Sequence, residues 1–393
     1  MRNSRSTGII AVGVYVCSVI AGAADYRTPA GTKPAHRTEQ GAGTILPGGR
    51  LLSPFGKEYT TGPGPFGLAI SPDGNRIVTS DGGMDRTSLS FLERVSGAWR
   101  MRNVTVSPKE ISETGDDEWK STFMGLAFDG ASALYASEGE SGQVYELEPA
   151  SGKRLGRYDL NVDGFADSYS GDLALDSERG VLYVVDQANF RVVVLDVRHR
   201  RVLASVRVGR LPFAITLSPD RRRVYVTNVG MFAYQPIPGA HQKDARATGL
   251  AFPPFGFPSK EAQDGVTREN ASGERVAVPG LGDPNVPESN SLCIVDVSDP
   301  RHPRVIKFLR TGLPFGTQSL GGSSPAGVLA TDEHVFVSNS VNDSISVIDP
   351  VALVVTKTIE LRIPGLEQYR GILPIGMAYH AGRKELLVAE GGI

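Results

Sequence analysis

A short unit recurs six times along this chain, and it constrains the fold more than any single residue does. Each unit has a turn, an apolar strand, a polar turn, a second apolar strand and a closing polar residue. The equivalent position of the first strand falls at residues 67, 125, 172, 214, 327 and 376. Four of the five spacings (58, 47, 42 and 49 residues) lie near the roughly 40–50 residues of a propeller blade. The sequence predicts an all-β propeller of four-stranded blades, with unrelated sandwich hairpins as the alternative.

The remaining spacing, 113 residues, contains an insertion. The second strand of that unit ends at Asn228, and its third strand, Ser291–Val297, follows only after about 60 residues. We therefore expect residues 229–290 to interrupt one blade. A connection of this length is usually a lid, an interface or disorder. Its aromatic run, Phe252–Pro258, favours packing over the channel mouth or against a following domain.

The repeat resembles the YVTN β-propeller family. Tyr225-Val226-Thr227-Asn228 matches the signature strand, Leu217–Asp220 matches the inter-strand turn, and Asn342–Asp349 matches the rest of the unit. This resemblance covers roughly residues 45–393 and implies a fold rather than an activity.

The insertion is similar to one in secreted bacterial proteins whose propeller precedes an alkaline-phosphatase-superfamily phosphoesterase domain. That resemblance implies a C-terminal phosphoesterase partner domain, with any phosphoesterase activity lying beyond Ile393.

The sixth unit breaks off after its second strand, at residues 390–393. Closure of a propeller removes exposed strand edges. The sequence therefore predicts an N-terminal fragment of a propeller of about seven blades, with one to two blades missing. Residues 49–59 read as an orphan strand that would complete the final blade.

The first 24 residues predict a cleaved signal peptide. Arg2 and Arg5 precede an apolar run over residues 8–20, and Ala21-Gly22-Ala23 offers a cleavage site. A membrane anchor is the alternative, although the run is shorter than the roughly 20 residues that a span needs. We expect a periplasmic or secreted protein with no membrane span after cleavage. Residues 25–48 would be a flexible linker, and residues 49–393 the propeller.

Composition excludes some partners. The chain has 41 Lys and Arg against 43 Asp and Glu, a net charge of −2, which gives no electrostatic case for nucleic acid. After cleavage only Cys293 would remain, so the sequence predicts a buried thiol and no internal disulfide. We expect a monomer.

The six second strands all end on a carboxylate or an amide. These residues are Asp81, Glu138, Asp186, Asn228, Asn339 and Glu390. In a propeller, equivalent positions ring the central axis, and oxygen ligands suit calcium. The ring therefore predicts a ligand or metal site at the channel mouth. The other interpretation is that Asp and Asn side chains bond the backbone of the following turn.

Signatures of catalysis are mostly absent from the sequence. Gly321–Pro325 lacks the spacing of a nucleophile elbow, and the six histidines are scattered. The sequence favours a scaffold that binds a ligand or a partner domain through the face with the ring and the insertion. The alternative is a lactonase-like hydrolase that uses a metal at the channel mouth.

Overall fold

The computed structural model describes residues 28–38, 43–52, 56–83, 87–106, 121–241, 244–316 and 318–392. The chain divides into two compact units, residues 1–60 and residues 61–393. The predicted signal peptide, residues 1–24, lies outside the described residues. Within the described ranges, no helix is long and apolar enough to span a membrane.

The first unit contains bridges of single residue pairs. His36 pairs with Ile45, and Ile45 pairs with Leu51 on its other side. The described part of the predicted linker thus folds back on itself. Leu51 is also the one bridge position in the described part of the predicted strand at 49–59.

The second unit is a β-propeller with five four-stranded antiparallel blades. Blade 1 consists of β1 (Pro65–Ile70), β2 (Arg76–Gly82), β3 (Thr87–Val95) and β4 (Ala98–Val106). Blade 2 consists of β5 (Leu126–Asp129), β6 (Ala133–Ser137), β7 (Gln143–Leu147) and β8 (Arg154–Asp159). Blade 3 consists of β9 (Ser170–Asp176), β10 (Val181–Asp186), β11 (Arg191–Asp196) and β12 (Arg201–Arg207).

Blade 4 consists of β13 (Pro212–Leu217), β14 (Arg223–Asn228), β17 (Ser291–Asp296) and β18 (Arg304–Arg310). Blade 5 consists of β19 (Pro325–Ala330), β20 (Val335–Asn339), β21 (Ser344–Asp349) and β22 (Val354–Glu360). A sixth sheet has two strands, β23 (Pro374–His380) and β24 (Glu385–Glu390). The prediction of an all-β propeller with four-stranded blades is confirmed.

The first strand of each blade contacts the first strand of the next, so the first strands are innermost. The second and third strands are the most buried: every residue of β10 is buried, whereas β22 is almost fully exposed. In blades 2 to 5, both faces of the central strands are covered by neighbouring sheets, which explains their unbroken apolar sequence. Valine, isoleucine and tyrosine suit these positions because they fit a pleated, covered surface.

Each hydrophobic core lies between two consecutive blades. Between blades 3 and 4, Tyr183, Val185 and Val194 pack with Ile215 and Val226. Equivalent clusters join blades 1 and 2, blades 2 and 3, blades 4 and 5, and blade 5 with the sixth sheet. The stability of a blade therefore depends on its neighbours.

Residues 229–290 lie between β14 and β17, which pair directly with each other in blade 4. This insertion contains two short helices, α1 (Ala245–Thr248) and α2 (Lys260–Asp264). It also contains a hairpin of β15 (Gly265–Glu269) and β16 (Arg275–Pro279). The insertion is thus partly ordered secondary structure rather than a featureless loop.

Candidate functional site

The polar residues that end the second strands occupy equivalent registers. Asp81, Asn228 and Asn339 each pair with the proline that begins the innermost strand of the same blade. Five of the six predicted site residues are at most 1% exposed, and Glu390 is exposed. A buried carboxylate or amide needs hydrogen-bond partners, so those partners indicate its role.

Asp81 is surrounded by donors of its own blade. Its Oδ2 accepts hydrogen bonds from Ser88 Oγ (2.8 Å), Ser90 Oγ (2.5 Å) and Gly62 N (3.2 Å). Its Oδ1 accepts from Thr79 Oγ1 (2.8 Å). These bonds fasten the end of β2 to β3 and to the segment that leads into blade 1.

Asp186 forms a buried ion pair with Arg191, at 2.8 Å between Oδ2 and Nε. Asp186 Oδ1 also accepts from Tyr169 N (3.0 Å), in the segment that leads into blade 3. The Arg191 guanidinium lies 3.5 Å from the ring centroid of Phe165 and donates to Leu160 O (2.5 Å). The pair joins β10, β11 and the preceding loop, and leaving either charge alone would be strongly unfavourable.

The other three buried residues bond to different partners. Asn228 Nδ2 donates to Ser291 Oγ (3.0 Å), and Asn339 Nδ2 donates to Ser346 Oγ (3.0 Å). Glu138 accepts from Ser121 N (3.3 Å) and from Ser141 Oγ. Each buried residue is therefore bonded within its blade or to the loop that leads into it.

This arrangement suits fastening of strands and turns better than a shared calcium ion. The carboxylate oxygens of Asp81 and Asp186 already accept bonds from protein donors. Across the residues that the structure describes, no group of three or more His, Cys, Asp or Glu side chains could hold a metal ion. The buried residues do not fit a common calcium site, and calcium binding stays a prediction.

Aromatic rings from four blades meet where the innermost strands begin. Phe66 stacks on Phe123, with ring centroids 5.6 Å apart, and meets Phe213 edge-on at 6.1 Å. Phe123 in turn contacts Tyr169 at 5.1 Å. These four residues, the channel aromatic cluster, connect blades 1 and 4 across the axis. Sequence reasoning missed the cluster, although the Pro-Phe pairs at 65–66 and 212–213 were a visible signal.

Asp172 departs from the small residues that occupy its position in the other units. A side chain at Gly67, Gly125 or Gly327 would overlap a backbone carbonyl of the next blade. Asp172 instead extends to the innermost strand of the next blade, where its Oδ2 accepts a hydrogen bond from Ile215 N of blade 4 (2.9 Å). Burial raises its pKa to about 6. Sequence reasoning missed this residue as well.

The insertion packs against its own end of the propeller. The Phe257 ring lies 4.8 Å from Phe232 and 5.1 Å from Phe315, which belongs to the connection between blades 4 and 5. Asn285 and Phe315 form two hydrogen bonds: Asn285 Nδ2 donates to Phe315 O (3.2 Å), and Phe315 N donates to Asn285 Oδ1 (3.0 Å). Arg210 donates to Met231 O (2.6 Å) and to Asp283 O, fixing both ends of the insertion.

Several large apolar side chains are exposed at this end of blades 4 and 5. We call them the insertion face: Tyr234, Phe252, Phe257, Leu313, Leu320 and Val341. Phe252 is 82% exposed and Leu320 is 88% exposed. They come from three separate loops that lead from the same ends of the strands. Exposed apolar side chains at one end of the propeller, on loops fastened by hydrogen bonds, are a candidate interaction surface.

A cavity and a buried cysteine are separate from the insertion face. A cavity of about 390 Å³ at the outer strands of blades 2 and 3 is lined by Tyr158, Arg200 and neighbouring residues. Its Arg200 is paired with Glu146 (3.0 Å), so the cavity does not present a free cation there. Cys293 is buried, as predicted, and burial raises its thiol pKa far above the usual value. That shift disfavours a thiolate nucleophile.

No protein-family model and no curated protein matches the sequence. One similar solved structure is a functionally unknown protein from Desulfotomaculum acetoxidans DSM 771 (TM-score 0.46, 12% identity, 83% of this chain and 75% of that chain). Another is the structure of U3-55K (TM-score 0.49, 11% identity, 81% of this chain and 72% of that chain). These likenesses are too distant to bear on function.

Proposed function

We propose that this chain is a periplasmic or secreted binding scaffold that is not itself catalytic, and that it docks a protein partner on the insertion face. The observation that carries the proposal is the exposure of Phe252 and Leu320 on loops that hydrogen bonds fasten to blades 4 and 5. A folded, apolar, loop-built surface can bind without paying for the ordering of a flexible segment.

The partner that we propose is a phosphoesterase domain of the alkaline-phosphatase superfamily, following the resemblance of the repeat and insertion to such two-domain proteins. In this arrangement the propeller contributes binding and positioning, and the hydrolytic residues belong to the partner. The bonding of Asp81 and Asp186 within their own blades supports a non-catalytic role for them.

Site-specific photo-crosslinking tests the docking surface. A photoreactive amino acid is placed at position 252 or 320 in the full-length chain expressed in its own organism. Val351 provides a matched control, because it is 86% exposed in the turn between β21 and β22, at the other end of blade 5. We expect positions 252 and 320 to crosslink to the same partner, which is a later segment of the same polypeptide if the phosphoesterase domain follows Ile393 and a separate protein otherwise, and position 351 not to crosslink to it.

The double variant Phe252→Ser, Leu320→Ser should abolish capture from a probe at position 313, which is on the same face. Equal capture at position 351, or no capture at 252 and 320, would contradict the scaffold proposal. Mass spectrometry of the captured protein separately tests whether it is a phosphoesterase.

Sequencing of the exported protein should give an N-terminus near Ala24, and an intact Met1 would exclude the cleaved signal peptide.

A further inference from the structure

Arginines are concentrated in four turns of blades 3 and 4, at the end of the propeller opposite to the insertion. With their flanking strand residues, these turns span residues 176–180, 196–201, 218–223 and 296–304 and contain nine arginines against six Asp and Glu. Their formal net charge is therefore +3, whereas the whole chain has a net charge of −2. We call six of these residues the arginine face: Arg198, Arg201, Arg221, Arg222, Arg301 and Arg304.

Formation of the turns does not require these arginines. In the turn after β11, Asp196 Oδ1 accepts from Arg198 N (3.1 Å), and in the turn after β21, Asp349 Oδ1 accepts from Val351 N (2.7 Å). The aspartate of the repeat thus holds the turn in both blades. Yet residues 350–353 of blade 5 contain no charged side chain. The arginines of blades 3 and 4 therefore have a reason other than turn formation.

The arginines lie outside the carboxylates with which they pair. The Arg201 side chain is 57% exposed, while that of its partner Asp196 is 14% exposed, at 3.7 Å between Nε and Oδ2. The Arg304 side chain is 75% exposed, while that of its partner Asp296 is 20% exposed, at 2.7 Å between Nη2 and Oδ2. The positive groups thus face the solvent, and these negative groups are recessed beneath them.

Exposed carboxylates neutralise only part of this charge. In the four turns they are Glu178, Asp220 and Asp299. Glu178 pairs with Arg221, but Arg198 donates to the backbone O of Glu178 (2.7 Å) rather than to its carboxylate. Among the described residues, no carboxylate forms an ion pair with Arg198, Arg222 or Arg301. The arginine face therefore carries an excess of exposed positive charge.

Hydrogen bonds to uncharged acceptors hold guanidinium groups in place and connect the two blades. Arg222 Nε donates to Ser298 Oγ (3.3 Å) within blade 4. Arg179 Nη1 donates to Val297 O (3.0 Å), which joins the β9–β10 turn of blade 3 to the β17–β18 turn of blade 4. Such bonds position a guanidinium group without neutralising its charge, so little ordering is left for a ligand to impose.

The chemistry and the extent of this face indicate the ligand. Guanidinium groups bind phosphate through paired hydrogen bonds. The two turns of one blade lie two strands apart, roughly 10 Å, and the arginines belong to two blades, so the face is wider than one small anion. The four turns contain no aromatic residue, which disfavours a stacking platform for single-stranded nucleic acid. A surface that carries many phosphates fits best.

An exposed apolar turn lies beside the arginine face. Arg223 Nη1 donates to Pro350 O (2.5 Å), which connects blade 4 to the β21–β22 turn of blade 5. Val351, the next residue, is 86% exposed at this turn. Basic groups beside an exposed apolar side chain suit a membrane surface, where the basic groups meet lipid phosphates and the apolar group enters the interface.

We infer that the arginine face docks on an anionic lipid surface, with its guanidinium groups on the headgroup phosphates and Val351 at the boundary with the acyl chains. The insertion follows the last residue of β14, whereas Arg222 precedes its first residue. A propeller bound in this way therefore presents the insertion face away from the lipid. The inference does not depend on the proposed partner.

Vesicle sedimentation with the full-length chain tests the inference. Sucrose-loaded vesicles of phosphatidylcholine are compared with vesicles that also contain about 30 mol% phosphatidylglycerol. We expect at least ~10-fold stronger binding to the anionic vesicles in about 0.1 M salt, and loss of this preference in about 1 M salt, where charges are screened within roughly 3 Å. Equal binding to both vesicles, or no binding to either, would overturn the inference.

A quadruple variant tests which arginines bind. It combines Arg198→Gln, Arg201→Gln, Arg222→Gln and Arg301→Gln, all at exposed positions. The matched control combines Arg207→Gln, Arg246→Gln, Arg275→Gln and Arg370→Gln, which are also exposed, lie outside the four turns and change the net charge equally. We expect the first variant to weaken binding at least ~10-fold and the control less than about 2-fold. Equal weakening would assign the binding to net charge and overturn the inference.

Val351→Asp tests the apolar contact while it leaves every arginine in place. It should weaken binding to the anionic vesicles about 3-fold or more and shift Tm by less than about 1 °C, because the side chain is exposed. Unchanged binding would contradict insertion of this turn. If the quadruple variant does not fold, this variant and the salt dependence still decide the question.

Soluble polyanions separate a lipid surface from a general anion site. A labelled DNA duplex and a labelled polyglutamate peptide are titrated with the protein in the same buffer, and fluorescence anisotropy reports binding. We expect both to bind at least ~10-fold more weakly than the anionic vesicles, compared per negative charge. Equal or tighter binding of either polyanion, lost in the quadruple variant, would overturn the assignment to lipid.

Discussion

Leu68 and Leu173 occupy the same position of the repeat, yet the first is 62% exposed and the second 6%. Leu173 in β9 is part of the core between blades 2 and 3. Leu68 and Ile70, two residues apart in β1, both expose their apolar side chains. The sequence unit is the same, so the difference in burial comes from the neighbouring blade and not from the strand.

Glycines at equivalent positions of blade 5 and the sixth sheet show the same contrast. A side chain at Gly327 of blade 5 would overlap the carbonyl of Ile375 in the next sheet. At Gly376, the equivalent residue of β23, Ala389 Cβ at 4.0 Å is the one atom of the described residues within 4 Å of an added Cβ. A glycine that is sterically required in one unit is therefore unconstrained in another. The repeat sequence predicts where the strands form, whereas contact with a neighbouring blade determines how deeply they are buried.

Hydrogen exchange should give the largest difference between these regions. Backbone amides of β10 and β11 lie in sheets covered on both faces, whereas β1, β23 and β24 expose apolar side chains. We expect exchange in the covered strands to be at least ~100-fold slower, because local opening is easiest where few contacts are lost. Equal protection in all five strands, measured by mass spectrometry, would contradict the comparison. If a longer chain that contains a further sheet slows hydrogen exchange in both β1 and β23, this result would support the prediction of missing blades.

Truncation of the two equivalent leucines should give the next largest effect. Leu173→Ala removes a buried side chain and should lower the free energy of unfolding by about 2–4 kcal/mol. Leu68→Ala removes an exposed one and should lower it by less than about 0.5 kcal/mol. Urea unfolding monitored by circular dichroism measures both values. A cost at Leu68 as large as at Leu173 would show that β1 is covered in solution.

Alanine substitutions at the two equivalent glycines, Gly327 and Gly376, should give a smaller effect, which is steric. Gly327→Ala forces a methyl group against the Ile375 carbonyl and should destabilise the protein by about 1–3 kcal/mol. Gly376→Ala meets no such obstacle, so its expected change lies within about 0.5 kcal/mol. The same unfolding assay compares the two variants, and a reversed order would mean that the fit between neighbouring sheets is not the constraint.

The repeat predicted the strands well because it repeats apolar runs of strand length between turn residues. The predicted second strand Leu182–Asp186 lies within β10, and the predicted third strand from Ser291 begins at the same residue as β17. The insertion could also be located, since β14 and β17 carry the sequence pattern of adjacent strands on either side of it.

The environment of the strand-end residues could not be predicted in the same way. Asp81 and Asn339 share a register, as repeat positions should, but they lie on the second strand rather than the innermost one. Their side chains therefore meet serines of the third strand. Those serines come from a different part of the unit, and no local pattern connects the two.

The channel itself depends on the innermost strands, where single departures from the repeat matter most. Asp172 takes the place that glycine occupies in four of the other five units. A substitution of this kind is visible in the sequence, but its bond to Ile215 of the next blade requires the packing of two blades to be known.

Asp172 gives the last and smallest expected effect, a pH dependence. Its folded-state pKa is about 6, raised by burial above the ordinary 3.8. The protonated form is therefore favoured by folding, and its stabilising contribution is present below pH 4 and is lost as the pH rises to about 6. Because the residue is partly exposed, we expect the loss to be about 1–2 kcal/mol rather than the full value of the shift.

Asp172→Asn keeps an acceptor for Ile215 N and removes the titration. The difference in unfolding free energy between the parent and this variant should change between pH 4 and pH 6 and be constant from pH 7 to pH 8. Other acidic groups, such as Asp73 with a pKa of about 2, titrate identically in both proteins and cancel in the difference. A difference that does not change between pH 4 and pH 6 would show that the contact between β9 and β13 leaves Asp172 as solvated as an ordinary surface carboxylate.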